Sequence, residues 1–361
     1  MAGCGVKEFA HNLLKHILTH YVSRQWNACL TVPLAVSLVF ATPLEAAFHP
    51  SDFQQPEIRV EVDLVSLYVT VTDSRGSALQ GLSKENFRVW EDGAEQEIKH
   101  FSTDDAPYTI GLVLDRSGSM WEVIDDVFQA ALHTLQASKP EDEAFVIVFN
   151  DRLELVQDFT SDREALERAL HKVRAGGQTA IYDAVHTALT HIQKGPYRKK
   201  ALLVVTDGED NSSGTTFRDL LGFAQENSAI IYVVGFFGDA MRFGSLLAES
   251  PSVVELTRLA QVTGGKAYFP KSMKECKQAC LDTASELRHQ YSLGYYPTNR
   301  KKDGTWRKLR VEVTGLPPDQ AQNLILRTRP GYYAPSEPVG RGRFDAGSKP
   351  VFISGFFGGQ F

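Results

Sequence analysis

The residues best able to do chemistry lie in three short runs. Asp115, Arg116, Ser117, Gly118, Ser119 and Met120 follow the apolar stretch Ile110, Gly111, Leu112, Val113, Leu114, so a D-x-S-x-S pattern stands at the end of a predicted buried strand. Gly176, Gly177, Gln178 and Thr179 precede a helix predicted to start near Ala180, and Val204, Val205, Thr206, Asp207 and Gly208 close another apolar run with an aspartate. In an open α/β sheet, ligands bind in the crevice outside the carboxyl ends of the strands. Asp115, Ser117, Ser119, Thr179 and Asp207 are therefore expected to point at one place. A hard cation such as Mg²⁺ takes oxygen ligands in near-octahedral array and few carboxylates, which suits hydroxyls with an aspartate better than a cluster of acids.

The elements that must position these residues follow from periodicity. Apolar strand patterns at Tyr108 to Leu114, Ala144 to Asn150, Lys200 to Thr206 and Ala229 to Phe236 alternate with helical patterns at Trp121 to Ser138, Asp162 to Val173, Ala180 to Lys194, Phe217 to Asn227 and Val254 to Gln261. Such alternation predicts an α/β fold with a doubly wound, mostly parallel sheet. A closing helix is predicted over Met273 to Arg288. Before this block, Val60, Val62, Leu64, Leu67, Val69 and Val71 recur with period two, as a strand pair or one long strand. Phe87, Val89 and Trp90 then lead through Glu91, Asp92 and Gly93 towards Ile98 and Phe101. After it, Tyr291 to Tyr296, Trp306 to Val313 and Asn323 to Thr328 again read as strands. We expect these two β sets, residues 57–103 and 291–335, to complete one small antiparallel β-sandwich into which the α/β domain, 107–290, is inserted. Residues 336–361, rich in glycine and polar residues, are expected to be a flexible tail.

The three oxygen-bearing runs resemble the metal-ion-dependent adhesion site of von Willebrand factor A domains. The resemblance covers roughly Tyr108 to Arg288 and includes the G-G-x-T loop, the T-D-G turn and the L-A-x-x-T-G-G stretch at Leu259 to Gly265. It implies that Ser117, Ser119 and Thr179 ligate Mg²⁺ or Mn²⁺ directly, that Asp115 and Asp207 act largely through water and orient the hydroxyls, and that a protein partner's carboxylate completes the shell. V-T-V-T-D-S-R-G at Val69 to Gly76, G-L-S-K-E-N-F-R-V-W-E-D-G at Gly81 to Gly93 and R-P-G-Y-Y-A-P at Arg329 to Pro335 are similar to the bacterial secreted VWFA-related domain proteins, a likeness that bears on architecture more than activity.

Composition sets outer limits. The chain has 361 residues, 43% hydrophobic and 23% charged, enough for a substantial core, and its net charge of -6 lacks the basic footprint of a nucleic-acid binder. Lys7, Lys15 and Arg24 precede an apolar run from Ala28 to Ala41, too short for a comfortable span but suited to a secretory signal, with small residues at Ala46 and Ala47. Residues 1–47 are thus expected to be a cleaved signal peptide, with an uncleaved anchor or a downstream start as alternatives, and the protein is expected to be secreted or held in the periplasm or cell envelope. Cys4 and Cys29 fall in that segment. Cys276 and Cys280 share a helix face at i, i+4 and read as packed or half-exposed thiols.

Bland readings stand beside the sharp one. D-x-S-x-S alone is also an ordinary strand-end turn; Thr179 and Asp207 on matching elements make it more. Glu209, Asp210 and Asn211 read as a solvated acidic loop before they read as a second cation site. His11, His16 and His20 fall in the N-terminal segment and are not taken as ligands. There is no H-E-x-x-H, no G-x-S-x-G and no G-x-x-x-x-G-K-[ST], and no base accompanies Ser117 or Ser119, so a binding module is expected, not an enzyme. Its partner would be a protein offering a carboxylate. A structural or envelope-assembly protein and a subunit working with an ATPase are the competing functions.

Overall fold

The computed structural model describes residues 64–74, 76–103, 106–237, 250–318 and 324–336. The expected signal segment 1–47 with its histidines and cysteines, the first part of the strand pattern up to residue 63, and the tail apart from Ser336 lie outside the described residues.

Three sheets organise the described residues. The central six-stranded sheet has the order β10-β9-β8-β5-β6-β7. Its strands are β5 (Tyr108–Asp115), β6 (Glu143–Phe149), β7 (Leu153–Thr160), β8 (Lys199–Thr206), β9 (Ile230–Gly235) and β10 (Ala267–Tyr268). Every residue of β5, β8 and β9 is buried. A parallel strand covered on both faces has no solvent side, hence the unbroken apolar runs in the sequence. The cover comes from α1 (Ile124–His133), α2 (Arg163–Leu170) and α6 (Met273–Arg288) on one face, through Val127, Phe128, Leu166 and Leu287. On the other face lie α3 (Ile181–Ile192), α4 (Phe217–Glu226) and α5 (Pro251–Val262), through Val185, Leu189, Leu220 and Leu256.

The chain winds outward from β5 through β6 to β7, then returns to place β8 on the other side of β5. The gap between β5 and β8 is thus the topological switch point, where side chains at the carboxyl ends face a crevice. Two local readings need correction. β7 was not expected; it pairs antiparallel with β6 as an edge strand. The helix read from Trp121 to Ser138 is broken into 3₁₀ turns at Gly118–Glu122 and Thr134–Ala137 around α1. Cys276 and Cys280 are fully buried free thiols in the α1/α6 core.

The flanking β sets do pair. β1 (Val65–Thr72) and β4 (Ile98–Ser102) form one four-stranded sheet with β11 (Tyr291–Tyr295) and β13 (Ile325–Arg327), in the order β13-β1-β11-β4. β2 (Phe87–Glu91) and β3 (Ala94–Gln96) form the other with β12 (Trp306–Val313) and β14 (Gly331–Tyr333), in the order β14-β12-β2-β3. Every pairing within these sheets is antiparallel, and each sheet mixes strands from before and after the α/β block. Leu67, Val69, Phe87, Val89, Leu293 and Val311 fill the space between them, so the α/β domain is an insertion in a β-sandwich. β14 was not foreseen in the sequence.

Leu293 pairs with Leu67 on one side and Phe101 on the other and is 0% exposed. Leu293→Ala should cost about 2–5 kcal/mol through lost burial and the residual cavity, read as a lower urea midpoint at unchanged slope; an unchanged midpoint would remove the sandwich core from the stability of the chain.

Candidate metal centre

The switch point brings the five expected residues together from three loops. Asp115 ends β5 and is 0% exposed. Its Oδ1 accepts from the Ser117 backbone N–H at 2.7 Å and its Oδ2 from the Thr206 hydroxyl at 2.6 Å, across the β5/β8 boundary. The first bond folds the strand end back as a tight turn, so Ser117 and Ser119 face the crevice. The Ser117 and Ser119 hydroxyls lie 3.1 Å apart, and Ser119 Oγ donates to Asp207 Oδ1 at 2.9 Å. Met120, 0% exposed, anchors this loop in the core beside α1, whereas the next residue, Trp121, is 70% exposed at the rim.

Thr179 arrives on the glycine loop. Gly176 N–H donates to the Arg116 carbonyl at 2.8 Å and Gly118 N–H to the Gly177 carbonyl at 3.0 Å, lashing the two loops together. Gly177 has a φ of +85°, and a Cβ there would collide with Asp151 and Asn150, so glycine is required twice over. Thr179 is 4% exposed, and a Cβ on Gly208 of the third loop would stand 3.7 Å from its Oγ1. The helix that follows begins at Ile181, and its first turn is capped by other residues: Asp210 Oδ2 accepts from Tyr182 N–H at 3.0 Å and Ser213 Oγ from Asp183 N–H at 3.1 Å. Thr179 is not the cap.

Sequence reasoning missed the residues that hold these loops. Asn150 Nδ2 donates to the Gly176 carbonyl at 2.5 Å while its own carbonyl accepts from Ala180 N–H at 2.9 Å. Asn211 Oδ1 accepts from Thr179 N–H at 2.9 Å, and Asn211 and Ser212 N–H groups both return to the Thr179 carbonyl. The stretch read as a solvated acidic loop is therefore a brace for Thr179 and α3, with Glu209 alone of Glu209, Asp210 and Asn211 showing no such bond among the described residues. The polar types after the T-D-G turn were the available signal; their partners, some 30 residues away in sequence, were not.

Electrostatically the crevice is short of positive charge. Burial pushes the Asp115 carboxyl above its ordinary value, opposed by the hydrogen bonds from Thr206 and Ser117. Burial, then the charge of Asp115, push Asp207 up to about 6. Arg116, the basic residue within the D-x-S-x-S run, pairs instead with Glu154 at 3.5 Å. Two repelling carboxylates and three hydroxyls at one sheet edge form an all-oxygen set that a hard divalent cation fits: it supplies the missing countercharge and accepts hydroxyl ligands without requiring their ionisation. Among the described residues no group of three or more His, Cys, Asp or Glu side chains could hold a metal ion, at the crevice or away from it; the crevice offers two carboxylates and three hydroxyls.

With this geometry in view, the comparisons are specific. Residues 110–209 match the family model described as von Willebrand factor type A domain, a range that contains all five oxygen-bearing residues, and the chain contains a von Willebrand factor type A domain. Calcium-activated chloride channel regulator 1 of Sus scrofa is 31% identical over 173 residues, 45% of this chain but 17% of that protein. Among solved structures, a conserved hypothetical protein BatB from Bacteroides thetaiotaomicron is 16% identical with a TM-score of 0.41, over 50% of this chain and 98% of that one. Proximal thread matrix protein 1 from the mussel byssus, in a structure with a zinc-occupied MIDAS motif, is 18% identical with a TM-score of 0.44, over 55% of this chain and 49% of that one.

The raised Asp207 value gives a signed prediction for the metal-free protein. The folded state holds this proton up to about pH 6, the unfolded chain only to about 3.9. In that window the native state binds more protons, so the contribution of Asp207 to stability falls as pH rises and is fully unfavourable above it. In EDTA, wild type should lose melting temperature relative to Asp207→Asn as pH rises from about 4 to 7; a difference that stays constant across the window contradicts the assignment.

Proposed function

We propose that this protein is a secreted or envelope-associated binding module in which a Mg²⁺-type cation, with Mn²⁺ or Ca²⁺ as alternatives, links the crevice to a carboxylate on a protein partner. Ser117, Ser119 and Thr179 bind the cation directly; Asp115 and Asp207 act largely through water and hold the hydroxyls in place. The observation that carries the reading is the convergence of Asp115, Ser119 and Asp207, through Thr206 and the serine hydroxyls, at the switch point of the sheet with no basic side chain among them. The matched domain family supports it, and the exposed indole of Trp121 on the rim supplies apolar contact area of the kind that dominates protein interfaces. A cation held by these residues would supply the positive charge that attracts an acidic side chain of the partner. The group that accepts from the Ser119 hydroxyl is the Asp207 carboxylate, which this reading gives to the cation and not to proton transfer, so the reading is of binding and adhesion, without turnover.

Adding cation at about 100 times its dissociation constant should stabilise the fold by roughly 2.7 kcal/mol. Thermal unfolding of the chain in EDTA, then with Mg²⁺, Mn²⁺ or Ca²⁺, should show a cation-specific rise that Asp115→Ala and Ser119→Ala abolish, and capture of a carboxylate-bearing protein partner should vanish with chelator. If Asp115→Ala lowers the melting temperature yet leaves partner capture intact, the metal serves the fold and the protein is structural. No shift with any of the three cations overturns the metal reading.

Asn211→Ala should weaken the cation by about tenfold or more, because it removes the acceptor that orients Thr179; calorimetric titration of Mg²⁺ measures it, and an unchanged affinity would separate Thr179 from the metal.

A further inference from the structure

At the opposite edge of the central sheet, beside the sandwich, lies a cavity of about 520 Å³, within the range of small-ligand sites. Lys200 lines it, and Asp207 follows seven residues later beyond the end of the same strand, so the cavity stands roughly 20 Å from the metal crevice at about 3.3 Å per residue. It is a separate place with separate chemistry.

Its lining contrasts with the rest of the chain. Arg198, Lys200, Arg300, Lys301, Lys302 and Arg329 all contribute, and among the described residues no Asp or Glu lines it, in a protein whose net charge is -6. The deeper cations are committed to backbone: Lys200 Nζ donates to the Gln193 carbonyl at 2.9 Å, and Arg329 donates to the Gln225 carbonyl at 3.0 Å and the Gly331 carbonyl at 2.9 Å. Arg198, Arg300 and Lys301 are exposed and form no ion pair among the described residues. The walls are apolar, with Val65, Ile230 and Pro335, and aromatic, with Tyr68, Tyr332 and Tyr333. Burial holds the Tyr68 phenol up at about 12, so it adds no negative charge.

We infer that this cavity binds a small amphiphilic anion, its phosphate, sulfate or carboxylate head held by Arg198, Arg300 and Lys301 and its apolar body packed against the tyrosines. A head alone would be left to solvent-screened contacts, and an apolar body alone would leave the basic residues unanswered. The combination uses both parts of the lining.

The test is calorimetric titration of the full chain in EDTA, which keeps the metal crevice out of the measurement, with octyl phosphate, phenyl phosphate, inorganic phosphate and 1-octanol. Octyl or phenyl phosphate should bind more tightly than inorganic phosphate and octanol, the tighter of the two telling an alkyl from an aromatic body, and binding should weaken with added salt. Arg198→Ser/Arg300→Ser/Lys301→Ser, all exposed positions, should weaken that ligand by about tenfold or more, whereas Lys274→Ser/Lys277→Ser on α6 should not. The inference is overturned if both organic phosphates bind no better than octanol, or if the triple variant binds as wild type does.

Discussion

A carboxylate with no exposed surface at the end of an all-buried strand is the constraint around which this protein is arranged. Asp115 cannot be solvated where it stands, and an ionised group held out of water must be answered by donors or by opposite charge. Two donors answer it from within, the Ser117 amide and the Thr206 hydroxyl, and each shapes the site as it does so. The first bends the strand end so that the serines face outward. The second ties β5 to β8 across the switch point and so fixes where Asp207 begins. The remaining deficit of positive charge is what a bound cation would answer.

The surrounding loops answer a different problem, which is precision. Five side chains on three loops converge only if the loops share one frame. Gly177 lets the second loop approach the first closely, Asn150 and the Gly118 amide hold it there, and Asn211 and Asp210 fasten the third loop to the second. None of these contacts needs to touch a metal. They remove freedom that ligand binding would otherwise have to remove.

Much of this was legible in the residues. Buried parallel strands are written as unbroken apolar runs, so β5, β6, β8 and β9 were readable, and so was the closing helix over roughly Met273 to Arg288. The D-x-S-x-S run, Thr179 and Asp207 were readable because each falls at a strand or helix end that periodicity locates. β7 was not: as an edge strand it has no buried residue, sets exposed Glu154 and Leu155 between half-buried Leu153 and Val156, and lacks the apolar run of its neighbours. The roles of Asn150, Asn211 and Asp210 were hidden because a polar loop residue looks the same whether it faces water or a loop far along the chain. The sandwich was expected because both β sets are antiparallel in pattern, but nothing in the sequence named which strands pair, as Leu67 of β1 does with Leu293 of β11.

The way the inserted domain is threaded has a mechanical consequence. Its entry and exit are neighbours: β4, which leads in, and β11, which leads out, are paired with Ser102 opposite Ser292, roughly 5 Å apart. Tension drawn along the chain from before β1 to after β14 is carried by the hydrogen bonds and apolar core of the sandwich, since β1 is clasped between β11 and β13. The crevice at Asp115 sits in a loop of chain outside that load path, and stays unstretched until the sandwich unzips. A chain pulled by its ends therefore loads the clasp before the crevice.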